Sequence, residues 1–181
     1  RLVLVDEKDK SIREVLNPGV QNLIDLDYSF ENEKTALIAN INGDIALYIA
    51  DSESELTNIF ETKPVFFQTR ISLYDVVWHP HGTKILFTAD VNKVMNVFEY
   101  DLETEEIVQI TNSLFNVYEA SYNDDGSEIA FVVQQENEQK LSVMKRENFL
   151  NKVPAKLKNE SQKELRKDRI WSDVADSIWK K

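Results

Sequence analysis

DVVWHPHGTKILFTADVNKVMNVFEYDLETEEIVQIT, residues 75–111, decides how the rest of the chain is read. It divides into four short strands. The first ends near Trp78, and the turn His79-Pro80-His81-Gly82 reverses the chain. Ile85–Ala89, Met95–Tyr100 and Ile107–Thr111 follow, with β-branched and aromatic residues in the runs and Pro, Gly, Asn and acidic residues in the gaps. Alternation at Ile85 and Phe87, and again at Phe98 and Tyr100, gives each strand two distinct faces.

The unit recurs. Trp78, Gly82, Ile85 and Phe87 match Tyr122, Gly126, Ile129 and Phe131, each 44 residues on. A looser copy runs from Tyr28 through Ala36 and Ile38, with Glu31–Lys34 as its turn. The back half repeats too. Val97–Asp101 followed by Ile107 and Ile110 matches Leu47–Asp51 followed by Leu56 and Ile59, and Leu2–Asp6 followed by Ile12 and Val15. Four strands recurring every 44–50 residues is the signature of a propeller blade. The expected organisation is a half blade at 1–17 and blades at 22–61, 65–111 and 112–149. The last blade has no clear fourth strand, and Lys145 stands where the others carry Asp.

From residue 150 the composition changes. Residues 151–181 hold 9 Lys or Arg and 5 Asp or Glu; taken from totals of 21 and 32, this leaves 12 basic and 27 acidic residues in 1–150. An acidic body repels phosphate backbones, so nucleic acid is not an expected partner. The tail reads as a basic linker followed by an amphipathic segment. Leu165, Ile170, Trp171, Val174, Ile178 and Trp179 fall on a 3–4 spacing that favours a helix over 160–180, with a strand reading left open. Trp171 and Trp179 would share a face that docks on this propeller or on a partner.

No run approaches the roughly 18 apolar residues of a membrane-spanning helix, so membrane insertion is not expected. The absence of cysteine excludes disulfides, thiol catalysis and cysteine zinc sites. The chain opens at Arg1 rather than Met, as a processed or trimmed product does.

The front-half pattern, WHPHGTKILF at 78–87 and YNDDGSEIAF at 122–131, resembles the TolB-type propeller repeat, W-S-P-D-G-x-x-I-A-F. Asp101 and Ile110-Thr111 stand at the strand ends which that repeat closes with Asp and Leu-Thr. The resemblance covers about residues 1–149. His79 and His81 depart from it by replacing Ser and Asp, and the copy at 22–61 lacks both Pro and Gly. It implies antiparallel four-stranded blades, each Trp or Tyr and Ile-x-Phe packing between neighbours. The same repeat builds the propellers of periplasmic TolB proteins and of prolyl-oligopeptidase-type peptidases, so it implies a scaffold rather than a reaction.

Residue chemistry assigns no catalytic, cofactor or metal site. His79 and His81, the only histidines, have the i, i+2 spacing of metal ligands but fall in a hairpin turn where polar residues are routine. Asn40–Asp44 clusters oxygen donors without the alternation and closing Glu of an EF-hand loop, and reads as an Asn-Gly hairpin turn. No Gly-x-Ser-x-Gly elbow or phosphate-binding Gly loop is present. Phe66, Phe67, Tyr74, Phe115 and Tyr118 are expected in the core between blades.

The expected fold is therefore an all-β partial propeller of four-stranded antiparallel blades with a C-terminal helical or irregular tail. The expected function is a non-catalytic, protein-binding scaffold of the cell envelope. The alternative is the gating propeller of a larger serine peptidase whose catalytic domain lies outside this sequence. Three and a half blades cannot close a ring, because terminal blades expose edges and apolar faces. Further chain segments or a second copy would close it. The weaker closure pairs 151–181 with 1–17 as a fourth blade.

Overall fold

A computed structural model describes residues 2–14, 20–41, 43–68, 70–91 and 93–152. A short antiparallel hairpin, β1 (Val3–Val5) and β2 (Ile12–Glu14), precedes three antiparallel sheets. Blade I contains β3 (Val20–Ser29), β4 (Lys34–Ile41), β5 (Asp44–Ala50) and β6 (Phe66–Phe67). Blade II contains β7 (Leu73–Trp78), β8 (Lys84–Val91), β9 (Val94–Asp101) and β10 (Ile107–Gln109). Blade III contains β11 (Val117–Tyr122), β12 (Glu128–Gln135) and β13 (Glu138–Lys145), without a fourth strand among the described residues. The chain has the fold of a partial TolB-like propeller. The tail expected over 160–180, with Trp171 and Trp179, lies outside the described residues.

Alternation within each sheet sends one set of side chains to the preceding blade and the other to the following one. Between blades I and II, Ile38, Leu47 and Phe66 pack against Trp78, Phe87 and Phe98. The Phe87 ring lies 5.6 Å from Phe66 and 5.8 Å from Phe98. Between blades II and III, Leu86, Val97 and Ile110 meet Val117, Ile129 and Phe131. The Trp/Tyr and Ile-x-Phe positions of the repeat thus build the core.

One sequence expectation fails. Leu56 and Ile59 do not form the outer strand of blade I. Residues Glu53–Thr57 form helix α1, and Ile59–Glu61 a 3-10 turn. Ser52 caps α1 by accepting the Glu55 N–H at 3.2 Å, while the Glu55 carboxylate accepts the Asp51 N–H at 2.7 Å. This S-x-x-E signal satisfies amide groups that a strand would have left to a ladder. Leu56 and Ile59, three residues apart, then turn to one side and cover the outward face of blade I with Leu37, Tyr48 and Ala50. The outer strand is Phe66–Phe67, so blade I runs beyond the expected boundary at residue 61.

Each first strand carries a register shift, between Leu23 and Asp25 in β3, Tyr74 and Val77 in β7, and Tyr118 and Ser121 in β11. The bulged Asp75 and Glu119 both have φ of +53°. Such bulges re-aim side chains away from the ladder.

Candidate functional site

Carboxylates of the first strands latch neighbouring blades together. Asp25 accepts the Val76 N–H at 2.8 Å, and Asp27 accepts the Trp78 N–H at 2.7 Å. The Trp78 indole donates back to the Asp27 carbonyl at 3.1 Å. One blade further on, Asp75 accepts both the Glu119 N–H at 2.9 Å and the Thr88 hydroxyl at 3.0 Å. Burial pushes the Asp25 carboxyl up, against the Val76 hydrogen bond that lowers it. Charge-assisted hydrogen bonds of this kind hold the first strands in register.

Beside the latch between blades II and III opens a cleft of about 440 Å³. Tyr74 and Asp75 line it from β7, Tyr118 and Glu119 from β11, with Met95 and Gln139 at the starts of β9 and β13. It therefore sits at the end where chains enter the first and third strands. A smaller cleft of about 210 Å³ occupies the same end between blades I and II, lined by Asp44, Phe67, Gln68 and Arg70. The larger cleft offers two phenol rings, a thioether, an amide and two carboxylates. That set suits an apolar or cationic side chain of a peptide better than an anion.

The opposite end is structural. Glu99, 2% exposed, receives two guanidinium nitrogens of Arg146 at 3.0–3.1 Å, the Lys84 ammonium at 3.2 Å and the Tyr122 hydroxyl at 2.7 Å. Lys84 also donates to Asp101 at 2.6 Å, which holds that carboxyl at about 2. Burial alone would lower the Lys84 pKa, but its hydrogen bonds and charge contacts with Asp101 and Glu99 outweigh this and raise it. Tyr122 is raised by burial and by the adjacent Glu99 charge. The guanidinium of Arg146 lies 5.4 Å over the Phe149 ring.

The structure separates the residues that the sequence brought forward. His79 is buried, 4.8 Å edge-on to the Tyr122 ring, and its Nδ1 accepts the His81 N–H at 3.2 Å. Its Nε2 would stand 2.0 Å from a Cβ at Gly126, so His79 packs on the turn of blade III. Burial lowers its pKa, helped by the nearby Arg146 and His81 charges. Among the described residues no group of three or more His, Asp or Glu is placed to hold a metal ion. Asn40 accepts the Gly43 N–H at 2.9 Å across the β4–β5 hairpin, as a turn residue does.

Of the five aromatics, Phe66 and Phe67 are buried as expected, but Tyr74 and Phe115 are each 41% exposed and Tyr118 is half-buried. Tyr74 and Tyr118 leave the core because the bulge beside them turns both strands. The signal was present in the sequence as a Tyr-acid pair repeated after 44 residues. The Glu99–Arg146 network was missed, since Glu99 occupies a position filled by Ile49 and Val143 in the other blades.

No protein-family model and no curated protein sequence matches the chain. Solved structures do. TolB from Acinetobacter baumannii matches 88% of this chain over 39% of its own length, at 18% identity and a TM-score of 0.66. A putative TolB from Agrobacterium tumefaciens matches 78% of the chain over 50% of its own, at 15% identity and the same TM-score. A puromycin-hydrolysing peptidase from Mycobacterium tuberculosis matches 78% over 23% of its length, at 16% identity and a TM-score of 0.59. The chain spans half or less of each. These likenesses concern the fold, and no described helix is long and apolar enough to cross a membrane.

Proposed function

We propose that the chain is a non-catalytic propeller scaffold that binds a protein partner in an extracytoplasmic compartment, with the cleft between blades II and III as its recognition site. The observation that carries this reading is the pair Tyr74 and Tyr118. Large aromatics expected in the core between blades here stand half-open and line, with Met95, a cleft whose carboxylates are Asp75 and Glu119. Rigid amphipathic rings give much contact area for little ordering entropy, which is why tyrosines anchor protein interfaces. The carboxylate rim supplies attraction for a basic segment. The extracytoplasmic placement is supported by the likeness to TolB structures.

The test is partner recovery from cells of the source organism with a Tyr74→Ala/Tyr118→Ala double variant and, as control, Asp124→Ala in an exposed turn. Loss of a specific protein by the first alone, with an unchanged melting temperature, supports the site. Equal recovery by both variants overturns it.

A second reading, the propeller of a larger serine peptidase, is favoured by the likeness to the puromycin-hydrolysing enzyme. It predicts that the protein from source cells carries a serine labelled by a fluorophosphonate. The scaffold reading predicts no label.

A further inference from the structure

The two clefts at the end where chains enter the first and third strands are divided by one stretch of chain. Arg70, Ile71 and Ser72 lead into β7 and line the smaller cleft, while Tyr74 and Asp75 on β7 line the larger one. Their uncommitted charges are opposite. In the larger cleft Asp75 spends one oxygen on both the Glu119 N–H and the Thr88 hydroxyl. The anion left for a ligand is the exposed carboxylate of Glu119, which has no hydrogen-bond or ion-pair partner among the described residues. In the smaller cleft the charge is Arg70, exposed beside the apolar Phe67 and Ile71. Arg70 has no ion-pair partner among the described residues, Asp44 on the blade I wall included.

The repeat does not call for this cation. RISLYD at 70–75 returns as LFNVYE at 114–119, so the tyrosine and the acid recur while Leu114 stands in the place of Arg70. Both side chains are exposed, Leu114 by 89%. Neither core packing nor the strand ladder therefore selects arginine at this position. What the guanidinium offers instead is a planar fork that a carboxylate fills with two hydrogen bonds.

We propose that this end binds an extended, bipolar segment of the partner protein, with a Lys or Arg held by Tyr74, Tyr118 and Glu119 and an Asp or Glu bonded to Arg70. This rests on the reading of the larger cleft as the recognition site and adds the charge pattern of its ligand. Arg70 and Tyr74 are four residues apart, at most about 14 Å of chain, so an extended ligand crosses from one anchor to the other in about four residues. The aromatic faces and the Glu119 carboxylate favour a cation in the larger cleft. A wholly acidic segment would be repelled by residues 1–150, which hold 27 acidic and 12 basic residues, and a wholly basic one would meet Arg70.

The probe is a library of random peptides displayed on phage and selected on the full chain, and the strongest binder is then synthesised. Selected peptides should place an Asp or Glu within about five positions of a Lys or Arg. Arg70→Ala should weaken the strongest binder about fivefold, the worth of a good exposed ion pair, at an unchanged melting temperature. Arg70→Glu should weaken it further, and exchanging the acidic residue of the peptide for Lys should restore binding to Arg70→Glu while weakening it to the unaltered chain. Tyr74→Ala/Tyr118→Ala should abolish both complexes. Basic peptides that lose affinity with the tyrosine variant but not with Arg70→Ala overturn the bipolar ligand and leave the cleft reading in place. Peptides indifferent to the tyrosine variant overturn both readings, and a selection that enriches no peptide overturns the bipolar ligand.

Discussion

Removing the Arg146 guanidinium should loosen blade III from blade II, and the cost can be worked from the geometry. Three nitrogen–oxygen contacts of 3.0–3.1 Å tie Arg146 to Glu99, whose side chain is 3% exposed. Breaking a fully buried pair from one side costs about 3–5 kcal/mol, since the remaining charge stays desolvated. Arg146 is itself 36% exposed, and Glu99 keeps Lys84 and Tyr122, so roughly half of that applies. Loss of the cation–π contact with Phe149 adds about 0.5 kcal/mol. Arg146→Ala should therefore destabilise by about 2–3 kcal/mol, lowering the urea midpoint by about 1 M for a slope near 2 kcal/mol/M. Glu99→Val gives the position an apolar residue, as Ile49 and Val143 do in the other blades. The double-mutant cycle should return a coupling of about 1.5 kcal/mol or more. A loss below about 0.5 kcal/mol for Arg146→Ala, or a coupling near zero, would refute the view that this pair binds the blades together.

Gly126→Ala should cost about 3 kcal/mol, because φ is +71° and the added Cβ meets the ring of the buried His79 at 2.0 Å, so that the ring must shift. Gly43→Ala, at φ +91° with open space around it, should cost only about 1 kcal/mol; similar losses at both sites in thermal melts would contradict the His79–Gly126 contact. Stability should also depend on pH through His79. Its folded pKa lies below the ordinary 6.5, so the unfolded chain binds the extra proton first. Stability is then full above pH 6.5 and declines as pH falls through that value, a slope that His79→Asn should remove in denaturation measured from pH 7.5 to 5. Asp101, held at about 2 mainly by its hydrogen bond from Lys84, adds stability that persists above its ordinary 3.8 and disappears as pH falls from 3.8 towards 2. Asp101→Asn should flatten that acid limb.

Much of the blade architecture was legible without coordinates, because a strand writes its two faces into alternate residues and a repeat writes itself several times. Trp78, Ile85 and Phe87 recur as Tyr122, Ile129 and Phe131, and each set lies in a core between blades. The helix at 53–57 was legible too, in Ser52 and Glu55, but the repeat spacing of Leu56 and Ile59 argued for a strand and the cap decided otherwise. The cleft depended on tertiary structure. A bulge moves one residue out of the ladder, and no alternation pattern announces where that residue will point. Tyr74 and Tyr118 therefore read as core and stand half-open. Glu99 likewise carried no mark in the sequence that set it apart from the other 31 acidic residues. Its partners Lys84, Tyr122 and Arg146 come from three separate strands or turns, and only their convergence makes a buried carboxylate stable there. Residue order determined the strands and their repeat, while the contacts between blades, set by packing over long sequence separations, decided which polar and aromatic side chains are buried and which stand open to a partner.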